Sequence, residues 1–358
     1  MSAADRAELV EEAIGRADRL LRAALDGATR GERSQLQRLG RLVADPAGRE
    51  LLQRLTDDVI RIQSNRRAAR RFADVVAAHP LPSSLGTVDR WLMAAGARLA
   101  PALPSVVMPL VRRRIIGETR GVVLPAEDPQ FAAHAARRRR EGIGLLVNPL
   151  GESILGDDEA RQRVDQVLGK LQRHDVHGVS IKASALVANL DVLDLDRSVK
   201  RIAATLREIY RAALAKRPPG FVNLDMEEYR DLQLTVAAFT TVLDEPEFAE
   251  LDAGLVLQAY LPDSHDVLDH LGTWALERSR RGGAGIKVRI VKGANLAMET
   301  VEAELHDWIP APYPTKADVD ASFKAMLASA LRPEWSGALR VGVASHNLFD
   351  IAWALVLR

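Results

Sequence analysis

The spacing of hydrophobic positions changes once along this chain, near residue 120. Before that point apolar residues recur at helical intervals: Leu20, Leu21 and Ala24, then Leu36 and Leu39, then Leu51, Leu52 and Leu55. Breaks fall at Gly27, at Asp45-Pro46 and at His79-Pro80-Leu81-Pro82, where proline lacks an N–H and restricts the residue before it. The pattern predicts an all-helical domain over residues 1–120. The segment 117–129 reads as a linker and 131–142 as one further helix. Six short apolar runs follow: GLLVNP (144–149), GVSIKAS (178–184), FVNLDME (221–227), GLVLQAY (254–260), KVRIVKGAN (287–295) and LRVGVASHN (339–347). Each has strand length, and the stretches between them read as helix. Strand and helix in alternation impose a parallel sheet, because parallel neighbours need a long crossover. Residues 121–358 are therefore expected to form a β/α barrel.

The polar residues sit at the C-terminal ends of the runs: Asn148, Lys182, Asp225, Gln258, Arg289 with Lys292, and His346. In a β/α barrel that rim carries the active site. The two-residue strand period places Ser180, Lys182 and Ser184 on the face opposite Val179 and Ile181, with Lys182 towards the mouth. A lysine there can hold a carboxylate or, once desolvated, form a Schiff base. Asp225 shares a face with Asn223 and Glu227, whereas Glu228 and Asp231 are read as first-turn acids of the next helix. In the fifth run, Gly293 follows the strand and lets backbone approach a ligand, with Arg289 and Lys292 as flanking cations. Neither a Walker loop nor a dinucleotide fingerprint is present.

Composition narrows the function classes. A net charge of +1 and 4% aromatic residues argue against nucleic acid as a partner. Three arginine clusters (Arg66, Arg67, Arg70 and Arg71; Arg112 to Arg114; Arg137 to Arg140) are read as solvated helix faces in a charge-balanced chain. With no cysteine there is no thiolate chemistry, and D-x-E-E without histidine gives no expectation of a metal site. The charged, amphipathic N-terminus is unlike a signal peptide, so a cytoplasmic protein is expected.

These motifs, NPLGESIL (148–155), VSIKASAL (179–186), VNLDMEEYRD (222–231), LVLQAY (255–260), VRIVKGAN (288–295) and ASHN (344–347), resemble the proline dehydrogenase family. The nearest likeness is to the proline dehydrogenase region of bifunctional proline utilisation A of actinobacterial type. The stretch 55–76 also resembles the helical arm of that family. The resemblance implies a distorted β/α (TIM-like) barrel with non-covalent FAD that oxidises L-proline to 1-pyrroline-5-carboxylate. Electrons would pass to a membrane quinone, from a protein docked peripherally at the inner face of the cell membrane. A fused aldehyde dehydrogenase half and a homo-oligomer are among the partners it allows. Position by position, it implies that Lys182 contacts the proline carboxylate, Asp225 is the active-site aspartate and Met226 lines the flavin. Gln258 and Arg289 would touch the isoalloxazine, Lys292, Gly293 and Ala294 would form the turn that holds the cofactor, and Ser345 with His346 would add a further contact.

Two departures stand out. Many relatives carry tyrosine where this chain has Asn295. Two further strands and a final helix with a carboxylate-clamping arginine pair have no counterpart, so a barrel cut after strand six and weak or absent turnover are expected. Two other readings remain: a lysine Schiff-base aldolase barrel using Lys182 or Lys292, and a non-catalytic association module.

Overall fold

In the computed structural model, residues 3–82, 85–119, 128–149, 154 and 156–358 are described. Most of the linker segment 117–129 and most of NPLGESIL after Pro149 lie outside them. The chain divides into two compact units, Met1–Arg22 with Ala132–Arg358, and Ala23–Phe131.

The smaller unit is helical, and the expected breaks end its helices. Asp45 caps Pro46–Arg54 by accepting from the Ala47 N–H at 3.1 Å, with Pro46 in the first turn where no donor is needed. Asn65–Ala78 stops at His79, directly before Pro80. Its core is Leu51, Leu55, Val59, Ala68, Ala69, Phe72, Val75, Ala97, Ala100 and Met108. Members of the arginine clusters serve their neighbours: Arg71 meets Asp58 at 2.5 Å, and Arg112 donates to Asn65 at 2.6 Å and to the Ile62 carbonyl at 2.5 Å. The first helix, Ala3–Gly27, belongs as far as Arg22 to the larger unit rather than to an all-helical 1–120 domain, and its buried positions are Ala13 and Ala17. Leu20 is half-buried in phase with them, whereas Leu21 is 46% exposed, so the helical period holds with Leu20 on the apolar face and Leu21 off it.

The larger unit is built on six parallel strands in sequence order: β1 Leu146–Val147, β2 Gly178–Lys182, β3 Phe221–Asp225, β4 Ala253–Gln258, β5 Ile286–Val291 and β6 Leu339–Val343. Among the described residues, β1 and β6 each pair on one side only. The run at 144–149 yields just two strand residues, and Ser184 falls in a 3-10 turn after β2 rather than on the strand. β5 shows how alternation builds the layers. Ile286, Val288 and Ile290 are fully buried, while Lys287, Arg289 and Val291 face the other way and keep partial exposure. Each such buried aliphatic contributes about 1.5–3 kcal/mol.

Helices Asp157–Gln172, Leu195–Ala215, Leu232–Leu243 and Ser264–Arg280 make the crossovers, and Leu296–His306 with Lys316–Ala330 separate β5 from β6. At the N-terminal side of the sheet Arg278, 3% exposed, donates to the carbonyls of Leu243, Phe248 and Ala284 at 3.2, 2.7 and 2.6 Å. Burial lowers its affinity for a proton, yet three carbonyls replace its water. That rim is stability machinery, which leaves the opposite rim for chemistry.

Candidate active site

The site assembles where the parallel register aligns polar residues of adjacent strands. Ser180 lies opposite Asn223, and Lys182 opposite Asp225. Asn223 donates to the Ser180 hydroxyl at 2.9 Å, and that hydroxyl donates to Asp225 Oδ2 at 3.0 Å. Asn148, at the end of β1, donates to the same oxygen at 3.1 Å. Arg289 Nη2 takes Oδ1. Both oxygens of Asp225 are thus engaged, and the charge-assisted bond fixes the Arg289 guanidinium against it.

Among the described residues, that clamp leaves Arg289 Nε buried without a partner. The neighbouring position on β6 is Gly342, where a Cβ would come within 3.2 Å of the Arg289 Cβ, so glycine gives the arginine stem its room. Gln258, 2% exposed at the end of β4, donates to the Glu227 carbonyl at 3.1 Å, while its Oε1 is buried and, among the described residues, unpaired. An unmade buried hydrogen bond costs about 1–3 kcal/mol. Two such atoms on the rim, one a cationic donor and one an acceptor, mark a place where a ligand would complete the bonding. Met226, 8% exposed, lies directly after Asp225.

The turn after β5 is tied down from several directions. Gly293 has φ +130°, and a Cβ there would lie 2.4 Å from the Tyr260 ring. Glycine is required there, because any side chain would collide with the Tyr260 ring. Ala294 is exposed. Asn295 donates to the Glu227 carbonyl at 3.0 Å, so the residue that departs from tyrosine became a backbone clamp. Lys292 reaches Asp320 at 2.5 Å and the fully buried Asp350 at 2.8 Å. Burial pulls its pKa down, but the hydrogen bonds from its ammonium to the two carboxylates outweigh that and raise it. A Schiff-base nucleophile must be neutral, so this environment disfavours Lys292 in that role. Ser345 donates to Asp350 at 2.8 Å and accepts from the Asn347 N–H at 3.0 Å, while the His346 side chain is exposed. Lys182 pairs with Glu227 at 2.5 Å.

Asp231 departs from its sequence reading. It precedes the helix Leu232–Leu243 but makes no side-chain cap bond, and Glu228 lies before a 3-10 turn rather than in the helix. Burial first, and then the Glu228 carboxylate, push its carboxyl pKa up to about 6. The folded state therefore binds this proton more tightly than the unfolded chain, and stability falls as pH rises from about 4 to about 6. Asp231→Asn should stabilise the protein by about 3 kcal/mol at pH 7, with the gain vanishing below pH 4. Urea unfolding at both pH values checks this. An equal effect at both would remove the titration argument.

Ser180, Asn223 and Glu227 share strand faces with Lys182 and Asp225, and that two-residue spacing was the available signal for them. Asp350 and Asp320 carried none. Among the described residues, no group of three or more His, Asp or Glu is placed to hold a metal ion, and no helix is long and apolar enough to cross a membrane.

A parallel β/α sheet with a clamped cation and, among the described residues, unpaired polar atoms at its C-terminal rim has the form of a β/α-barrel enzyme with a candidate site at that rim. The chain belongs to the proline dehydrogenase family, whose model matches residues 131–358. A proline dehydrogenase of Deinococcus radiodurans is 29% identical over 197 residues, covering 54% of each protein. Proline utilization A from Corynebacterium freiburgense is 44% identical with a TM-score of 0.65, over 77% of this chain and 28% of that one. Proline utilization A from Bdellovibrio bacteriovorus, solved after inactivation by N-propargylglycine, shares the fold at 22% identity. Its TM-score is 0.75, over 97% of this chain and 36% of that one. This chain spans about half the length of the curated relative, and much less of the solved ones.

Proposed function

We propose that this chain provides the flavin-facing and substrate-facing rim of a proline dehydrogenase, which converts L-proline to 1-pyrroline-5-carboxylate with FAD as the electron acceptor and a quinone downstream. The observation that carries the reading is the Asp225–Arg289 clamp, with Arg289 Nε and Gln258 Oε1 buried and unpaired beside it. These atoms fit a polar aromatic ring system that can both accept and donate. When bound, FAD supplies the two-electron acceptor for the hydride that leaves proline. Arg289 would set a fixed positive charge against the ring that gains electrons, and Asp225, braced by Ser180 and Asn148, would stop it from swinging away. Gln258 and Met226 would pack the ring edge, and Lys292, Gly293, Ala294, Ser345 and His346 would line the cofactor's other parts. Lys182 would take the substrate carboxylate and fix which ring carbon is presented.

The test is the visible spectrum of the purified chain after incubation with FAD and desalting. Retained flavin absorbance is the expected result, with bleaching by L-proline in the absence of oxygen that is slow enough to follow over a single turnover. A chain that retains no flavin, yet is trapped covalently by borohydride with a carbonyl substrate at Lys182, would establish the Schiff-base reading instead.

A further inference from the structure

Lys182 already has a carboxylate ligand. Its ammonium lies 2.5 Å from Glu227 Oε2, the place a substrate carboxylate would take if the proposed function holds, and the inference rests on that reading. Glu227 is two residues beyond Asp225, which faces Lys182 across the β2–β3 pair. Its backbone is pinned, because its carbonyl accepts from Gln258 Nε2 at 3.1 Å and from Asn295 Nδ2 at 3.0 Å. Among the described residues its carboxylate is held by contrast only through Lys182, and its side chain is 39% exposed against 20% for the lysine. A fixed peptide with a partly solvated side chain can release the ion pair by rotating about its own bonds, with no movement of the rim.

We infer that Glu227 is an internal competitor for Lys182, which a ligand's carboxylate must displace before it can bind. Between turnovers the pair spares a half-buried ammonium from lacking a partner. During binding it reduces the fraction of protein ready to accept a ligand, and the apparent dissociation constant rises by that fraction. Glu227 thereby sets how strong a carboxylate must be to enter. Asn295 supports this device by anchoring the peptide from which Glu227 swings.

The test uses cyclopentanecarboxylate, a ring carboxylate without an amine, titrated calorimetrically into the full chain with and without saturating FAD. Glu227→Gln should bind it about fivefold more tightly than the unmodified chain, the factor that corresponds to a partly exposed ion pair. Cyclopentanecarboxamide, which has no charge, should gain nothing. Lys182→Met should abolish the gain when combined with Glu227→Gln. Carboxylate binding that depends on Lys182 but is unchanged or weakened in Glu227→Gln would overturn the competitor while leaving the proline reading intact. No carboxylate binding by any variant would overturn both.

Discussion

Asp350→Ala is expected to destabilise the sheet-bearing unit by about 3 kcal/mol, the largest stability loss anticipated for a single change here. The carboxylate is completely buried and receives Lys292, Lys324 and the Ser345 hydroxyl, each at 2.8 Å. Burial pushes its pKa up, but the hydrogen bonds from Lys292, Lys324 and Ser345 prevail and hold it below the ordinary 3.8. Removing it deprives two ammonium groups of their shared partner. The loss stays at the low end of the range for broken buried pairs because both lysines can reach water and Lys292 keeps Asp320. Urea unfolding should show a lower midpoint with an unchanged slope. The sign with pH is fixed: a depressed carboxyl stabilises above its unfolded value and loses that contribution as pH falls through its folded one. The gap between the two proteins should therefore close below about pH 4, and a gap that persists there would show that Asp350 acts by packing alone.

Arg289→Met should slow the bleaching of bound flavin by L-proline about 100- to 1000-fold, the usual scale for removing one preorganised charge from a developing anion. The same change should lower the flavin's midpoint potential by about 30–60 mV, since about 1.4 kcal/mol corresponds to 30 mV for a two-electron couple. Arg289→Lys should fall between the two, because an ammonium keeps the charge but loses the planar fork that Asp225 orients. A slowed rate with an unmoved potential would reassign Arg289 from charge stabilisation to positioning. Stopped-flow absorbance and a redox titration provide the two readouts.

Much of the architecture was legible before any coordinates. Six apolar runs became six parallel strands in order, and the breaks at Gly27, Asp45-Pro46 and His79-Pro80 ended helices where expected. These features are local, since strand period, helix period and proline stereochemistry act within a few residues. The placement of Lys182, Asp225, Gln258 and Arg289 on one rim also followed, because a parallel sheet puts the C-terminal ends of all its strands on one side.

Partner choice was not legible. Asn148 proves to brace Asp225 from 77 positions away, and Arg289 meets the same carboxylate from 64. Lys182 finds Glu227 across 45 residues, and Lys292 finds an aspartate buried in the helix after β6. Gly293 gives room to the Tyr260 ring, a contact that the residues of its own turn do not announce. The physical reason is common to all of them. Strand register and crossover packing set which side chains come within hydrogen-bond range, and neither leaves a mark at short sequence separation. Residue types and periods along the chain therefore determine which groups reach the rim. Only the packed sheet decides which of them are already paired, and which, like Arg289 Nε and Gln258 Oε1, are left for a ligand.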